Sequence, residues 1–351
     1  MNRKKLLWQL PFLILLIVGT VLVIGQQRNT PYQHDSGMVF GTEYHITYQH
    51  GSNLHKKIEA ELRKVDMSLS PFNRQSTISK VNNNEPAELG HMFTDVFSMA
   101  MRISEDTDGA FDITVAPLVN AWGFGFRKGI SPDRHTIDSL KAIVGYRKVR
   151  LKDGKIIKQD RRMMLDCSSI AKGYGSDVVA RMLEREGVEN YMVEIGGEIV
   201  TKGISEKRLP WRIGVTKPTD DSLGVSREYQ TILNVTNKAM ATSGNYRNFY
   251  YKNGKKYAHT IDPKSGFPVQ HSLLSATVVA NRCATADAYA TSFMVMGIEK
   301  AKKVLERNPQ LMAYFIYADK DGKCYCQSLF GTGLYSNGRC RRCRSLLCGI
   351  L

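Results

Sequence analysis

Apolar positions along this chain form three kinds of run, and each predicts a different element. The first runs from Leu6 to Ile24 and is interrupted only by Gln9, Pro11, Gly19 and Thr20. As a helix it spans about 28 Å, close to the roughly 30 Å of a bilayer core. Arg3, Lys4 and Lys5 precede it, so the pattern predicts a single-pass anchor with the rest of the chain on the extracytoplasmic side. A cleaved signal peptide would need a small-residue cleavage site, and Val23-Ile24-Gly25-Gln26-Gln27 offers a poor one. The expected layout is therefore an uncleaved anchor over 1–25 and a polar linker over 26–37.

The second kind recurs at helical spacing. Leu54, Ile58, Leu62, Val65 and Leu69 predict a helix that ends before Ser70-Pro71. Further helices are predicted over Met92–Glu105, over Tyr174–Glu186 with its stop at Gly187, and over 284–296 and 298–308. The third kind alternates. Tyr44, Ile46 and Tyr48 read as a strand, as do a region around Asp153-Gly154 and the runs 191–195, 211–215, 230–235, 274–280 and 313–318. Strands outnumber helices and follow one another, which predicts an α+β domain with a mixed or antiparallel sheet. One catalytic domain over 38–320 is the simplest partition, with a tail over 321–351.

Composition narrows the class only a little. The chain has 351 residues, 42% hydrophobic and 23% charged, as globular proteins do. Its net charge of +16 is scattered and gives no stripe with base-stacking aromatics, so no nucleic-acid partner is expected. The charge suits a membrane-proximal protein that handles phosphate-rich ligands. Cys167 and Cys283 stand alone in the body, while Cys324, Cys326, Cys340, Cys343 and Cys348 crowd the tail. Their spacing reads as a zinc ribbon or as disulfides, yet no helix or strand periodicity from Lys323 onward supports either.

Several segments carry candidate chemistry. Asp108–Gly125 combines a turn glycine with Phe111 among small neighbours, which suits a planar ring system. In Asp166–Gly175 a strand gives way to a helix, where backbone amides favour an anion and Lys172 adds positive charge. Asp166 can accept from a ligand hydroxyl or ring N–H; the plainer reading of this block is an N-cap by Ser168 or Ser169. Asp287 and Thr291 lie four apart, on one face of a predicted helix, amid small residues that let another backbone approach. With a carbonyl from elsewhere, they suit Mg²⁺. Ala241–Arg247 reads as a phosphate loop or a simple turn. The Asp262–Gly266 turn would hold His259 at a strand end as a general base. Gly196-Gly197 permits close approach of a ligand or another strand.

In this order the segments resemble the ApbE family, the FAD:protein FMN transferases. The resemblance rests on Phe40-Gly41-Thr42, Ser70-Pro71-Phe72, Gly109–Gly125, Asp166–Gly173, Ile195–Glu198, Ala241–Arg247, His259–Pro268 and Ala286–Thr291. It implies an extracytoplasmic enzyme at the cell inner membrane that cuts FAD, attaches FMN to a Thr or Ser hydroxyl of an acceptor and releases AMP. The implied acceptors are flavoprotein subunits of membrane redox complexes. By matching position, Phe40, Phe72, Ala110, Phe111, Asp112, Asp166, Lys172 and Ile261 contact FAD, while the Ser169 carbonyl, Asp287 and Thr291 hold Mg²⁺. Phe40 stands where Met is common and Phe72 where Tyr often stands. His259 and Lys172 are the expected catalytic pair. An Mg²⁺-dependent FAD pyrophosphatase and a non-catalytic flavin-binding surface protein are the alternatives. The tail departs from the family, which puts the last sheet strand in doubt.

Overall fold

Alternating side chains leave each strand one face for helices and one for other cover, and the chain uses both. The computed structural model describes residues 3–125, 132–218, 229–245, 249–252, 255–319, 324–330 and 335–339. Helix α1 (Arg3–Asn29) precedes a hairpin of β1 (Tyr32–Val39) and β2 (Thr42–Gln49). Helices α2 (His55–Leu69), α3 (Thr77–Asn82), α4 (His91–Asp106), α5 (Ala116–Ala121) and α6 (Arg134–Lys141) follow. A small hairpin, β3 (Val149–Lys152) and β4 (Lys155–Lys158), leads to α7 (Ala171–Arg185). Next come β5 (Tyr191–Ile195), β6 (Glu198–Lys202), β7 (Arg212–Thr216), β8 (Tyr229–Asn234) and β9 (Ala239–Gly244). Then follow β10 (Phe249–Lys252), β11 (Lys255–Ala258) and β12 (Leu273–Ala280). Helices α8 (Cys283–Met296) and α9 (Ile298–Arg307) precede β13 (Met312–Ala318), β14 (Cys324–Phe330) and β15 (Tyr335–Arg339).

Nine strands form one sheet in the order β1-β2-β5-β6-β9-β12-β13-β14-β15, antiparallel at every join. The α+β class expected from the sequence is the observed one, with an antiparallel sheet. On β12 and β13, Ala276, Val278, Ala280, Ala313 and Phe315 pack in a core with residues of α4, α7 and α8. Val279, Tyr314 and Ile316 face the other way, against Trp211, Ile213, Val215 and Leu233 of the β7–β8 hairpin. Helix α8 buries Ala284, Ala286, Ala288, Ala290 and Phe293 together, as a helix enclosed on most sides must.

Four expectations need correction. Among the described residues no helix is long and apolar enough to cross a membrane, so the predicted span is not supported. Helix α1 is continuous for 27 residues and contains Pro11. The stretch read as a linker supplies β1 from Tyr32. Along β1 only Asp35 is fully buried, where it accepts from the Tyr48 hydroxyl at 2.7 Å. The pairing thus rests on the backbone ladder, and no apolar alternation marks it. Residues 241–244, read as a loop, lie in strand β9 near the sheet centre; Tyr246 and Arg247 lie outside the described residues. The sheet also continues beyond residue 320, because β14 pairs with β13 in full register, with Cys326 buried opposite Ile316. Cys340, Cys343 and Cys348 lie outside the described residues.

Candidate active site at the start of two helices

Helices α7 and α8 meet at their first turns, and small residues allow it. A Cβ on Gly173 would sit 2.5 Å from the Cys283 carbonyl oxygen, so only glycine fits this backbone-to-backbone contact. The Gly173 N–H donates to Asp287 Oδ2 at 3.1 Å across the junction. One turn further along α7, Asp177 accepts from the N–H groups of Cys283 (2.8 Å) and Ala284 (3.0 Å). That carboxylate caps α8, so the first amides of α8 are already taken. Ser168 and Ser169 do not cap α7, whose N-cap residue Ile170 makes no side-chain cap bond; Asp287 takes the Gly173 amide from outside the helix. Instead Asp166 Oδ1 accepts from the Ser168 N–H at 2.8 Å, folding the turn that presents the Ser169 carbonyl ahead of α7.

Three charged groups share this corner. The Lys172 ammonium donates to Glu198 Oε1 at 2.6 Å. Burial acts to lower the Lys172 pKa, but Glu198 and Asp287 outweigh it and hold the ammonium above the usual lysine range. Burial pushes the Asp287 carboxyl up, against the pull of Lys172 and the Gly173 amide. Glu198 is pushed up to about 7 by burial, offset in part by Lys172 and reinforced by Asp287. Thr291 lies one helical turn after Asp287, its hydroxyl 3.1 Å from that of Ser243 at the end of β9.

The remaining sequence-predicted residues divide into those at the corner and those in the core. Phe40, in the β1–β2 turn with φ +52°, rests its ring against Gly175 in the second turn of α7. Phe72 is 69% exposed, in the turn after α2. Ala110 and Phe111 are buried, and the Phe111 ring packs in the main core. Asp112 is engaged within the protein: Oδ1 accepts from the N–H and hydroxyl of Thr114 (2.8 and 2.6 Å), and Oδ2 from the Tyr146 N–H (2.7 Å). The segment is tied to the corner, since the Asp166 N–H donates to the Ile113 carbonyl at 2.7 Å.

His259 lies on a second wall. Its ring meets the edge of Phe124 at 6.4 Å, and Phe124 stacks on Tyr250 at 5.3 Å. Trp122 stacks on Tyr257 and donates its indole N–H to the Gly266 carbonyl at 2.8 Å. This bond pins the Asp262–Gly266 turn, and Ile261 is buried beside Trp122 and Leu118. The chain links the two walls: Ser243 reaches Thr291, while two residues later Asn245 accepts from the Thr260 hydroxyl at 2.7 Å. Glu198 is the residue that sequence reasoning left without a role. Its only signal was the glycine pair before it.

Among the described residues no three His, Cys, Asp or Glu side chains gather as a metal cluster. The donors at the corner are different in kind: a carboxylate, a hydroxyl and a main-chain carbonyl, all hard oxygens, which fit a cation that keeps room for phosphate. Asp287 Oδ1 has no protein hydrogen-bond partner among the described residues. With Lys172 beside them, these groups have the chemistry to take a phosphate-bearing ligand. The chain belongs to the ApbE family, whose model matches residues 40–315. A FAD:protein FMN transferase from Vibrio cholerae serotype O1 is 37% identical over 325 residues, covering 90% of this chain and 96% of that protein. One from Haemophilus influenzae is 38% identical over 313 residues, covering 84% and 89%. The solved flavin transferase ApbE from Vibrio cholerae matches with a TM-score of 0.77 at 36% identity, over 87% of this chain and 99% of that one. The apo flavinyl transferase ApbE of Pseudomonas stutzeri matches at 0.74 and 31% identity, over 87% and 98%. This chain is accordingly a transferase with the ApbE α+β fold.

Proposed function

We propose that this chain transfers FMN from FAD to a Thr or Ser hydroxyl of an acceptor protein and releases AMP. The observation that carries the reading is Asp287, held to the start of α7 by Gly173 and set among Lys172, Glu198 and Thr291. Mere retention of a flavin has no need of a buried carboxylate beside a cationic helix start. Asp287, Thr291 and the Ser169 carbonyl are the residues that would hold Mg²⁺, which when bound offsets charge on pyrophosphate oxygens. Lys172 binds the same oxygens and stabilises the charge that develops on them. The acceptor hydroxyl oxygen bonds to the riboflavin-side phosphorus, and the bond from that phosphorus to the bridging oxygen breaks. AMP leaves with the bridging oxygen, and the hydroxyl proton passes to the His259 imidazole. Phe40 and Phe72 offer apolar faces to the flavin or adenine ring.

The acceptors in this reading are flavoprotein subunits of membrane redox complexes. The proposed location is the extracytoplasmic side of the cell inner membrane, where such acceptors would be met. One assay tests the activity: the purified chain with FAD, Mg²⁺ and a candidate acceptor, followed by denaturing gel fluorescence and AMP measurement. Covalent flavin with equimolar AMP is the expected result. Free FMN and AMP with unlabelled acceptor would instead make the chain an FAD pyrophosphatase, and FAD unchanged over hours would make it a non-catalytic flavin binder.

A further inference from the structure

Behind Lys172 lies a carboxylate whose burial needs a reason. Glu198 is the first residue of β6, directly after Gly196 and Gly197, whose φ angles of +62° and +100° close a two-residue hairpin with Ile195 opposite Glu198. That turn is clamped to its neighbour strand, since the Gly196 N–H donates to the Glu43 carbonyl at 3.0 Å. From the other side the Ser176 hydroxyl donates to the Glu198 carbonyl at 2.9 Å, fixing the residue to α7. The backbone carrying this carboxylate is thus held from two directions. Its side chain is 4% exposed, whereas that of Lys172 is 29% exposed. The glutamate is enclosed, and the lysine that reaches it is the more exposed of the two side chains.

Glu198 Oε1 takes the Lys172 ammonium at 2.6 Å, and Oε2 is buried with no hydrogen-bond partner among the described residues. A buried pair that served stability alone would satisfy both oxygens or be replaced by apolar packing. We propose that Glu198 is a positioning residue: it orients the Lys172 ammonium toward the dinucleotide phosphates and leaves that lysine little rotamer freedom before the ligand arrives. The inference rests on the proposed use of FAD as substrate. The glycine hairpin belongs to the same device, because it places the carboxylate and not because it touches a ligand. Pre-ordering a long cationic side chain strengthens phosphate binding by removing an ordering cost from the binding step.

A double-mutant cycle tests this on the full chain, with equilibrium binding of FAD read by flavin fluorescence without Mg²⁺. Glu198→Gln is expected to weaken FAD binding about tenfold. In a Lys172→Met background the same change should alter it by less than about twofold, because the group it acts through is gone. Equal losses in both backgrounds, or no loss in either, would overturn the proposal. Should Glu198→Gln fail to fold, Glu198→Asp is read in the same two backgrounds by the same criterion. Flavin transfer by the unmodified chain is measured in parallel. FAD binding without transfer would count against the transferase reading, and an additive cycle in a competent transferase against the positioning role.

Discussion

The Gly173 amide and the Asp287 carboxylate are joined at 3.1 Å, so the first turn of α7 fixes the one carboxylate that α8 turns toward the site. That bond exists because nothing larger than hydrogen stands at residue 173, where an added Cβ would meet the Cys283 carbonyl at 2.5 Å. Main chain cannot swing aside as a side-chain end can. Gly173→Ala should therefore push the two helices apart, cost roughly 1–3 kcal/mol of stability, and weaken Mg²⁺ binding with it. Chemical denaturation and a metal titration on the same variant check both; a stable variant with intact metal affinity would show that the contact is slack.

Asp287→Asn separates charge from shape. The amide oxygen can still accept from Gly173, so the junction should persist and the melting temperature change little. The negative charge offered to a cation is lost. Flavin transfer should fall about 10²-fold or more, the scale on which single preorganised electrostatic groups act, with FAD binding largely retained. Mg²⁺ affinity equal to that of the parent would remove Asp287 from the metal site.

How much of this was legible beforehand depended on where the physical signal sits. Helices α2 and α4 announce themselves through apolar residues at helical spacing, and β2 and β5 through alternation, since in each one face meets the core and the other does not. Strand β9 did not, because Ala-Met-Ala-Thr-Ser-Gly is small and polar; its place is set by pairing with β12 and β6. Strand β1 was hidden for a related reason, having a buried aspartate where alternation would put an apolar residue. Within the site, Lys172, Asp287 and Thr291 were visible as a helix start and a four-residue spacing. The side-chain roles of Asp112 and Ile261 were not, because only the fold reveals that Asp112 serves Thr114 and Tyr146 and that Ile261 packs beside Trp122. Glu198 was invisible as a partner of Lys172, since 26 residues and a glycine hairpin separate them.

Asp177 yields a prediction about pH. Burial holds its carboxyl above the usual range, against the opposing pull of the Ala284 and Cys283 amides and of Arg282. A carboxyl whose pKa is higher folded than unfolded adds stability below its unfolded pKa and loses it as pH rises through the folded one. Asp177→Asn removes that titration and one of two capping bonds, for a pH-independent loss of about 1 kcal/mol. The stability gap between parent and variant should therefore shrink as pH rises from about 4 to about 7. Urea denaturation at both ends of that range decides it, and a gap that widens would mean that Asp177 is held charged at acid pH.

His259 is set against the aromatic wall by its neighbours, and in the proposed reaction it takes the acceptor's proton. Its ring stands edge-on to Phe124, and the next residue, Thr260, is tied to Asn245 at 2.7 Å. Because Ser243, two residues before Asn245, touches Thr291, the end of β9 connects the segment that carries His259 with α8. An imidazole titrates near neutral pH and can take a hydroxyl proton there. In His259→Asn the side chain keeps a polar end of similar reach but has no basic nitrogen. Transfer to the acceptor should then slow by about 10²-fold or more, with FAD affinity within about threefold of the parent, since the proposed phosphate contact is Lys172 and not His259. Single-turnover flavin transfer, followed by gel fluorescence under saturating FAD, isolates the step. Should the variant transfer flavin at the parental rate, the proton goes elsewhere and His259 has no part in the chemistry.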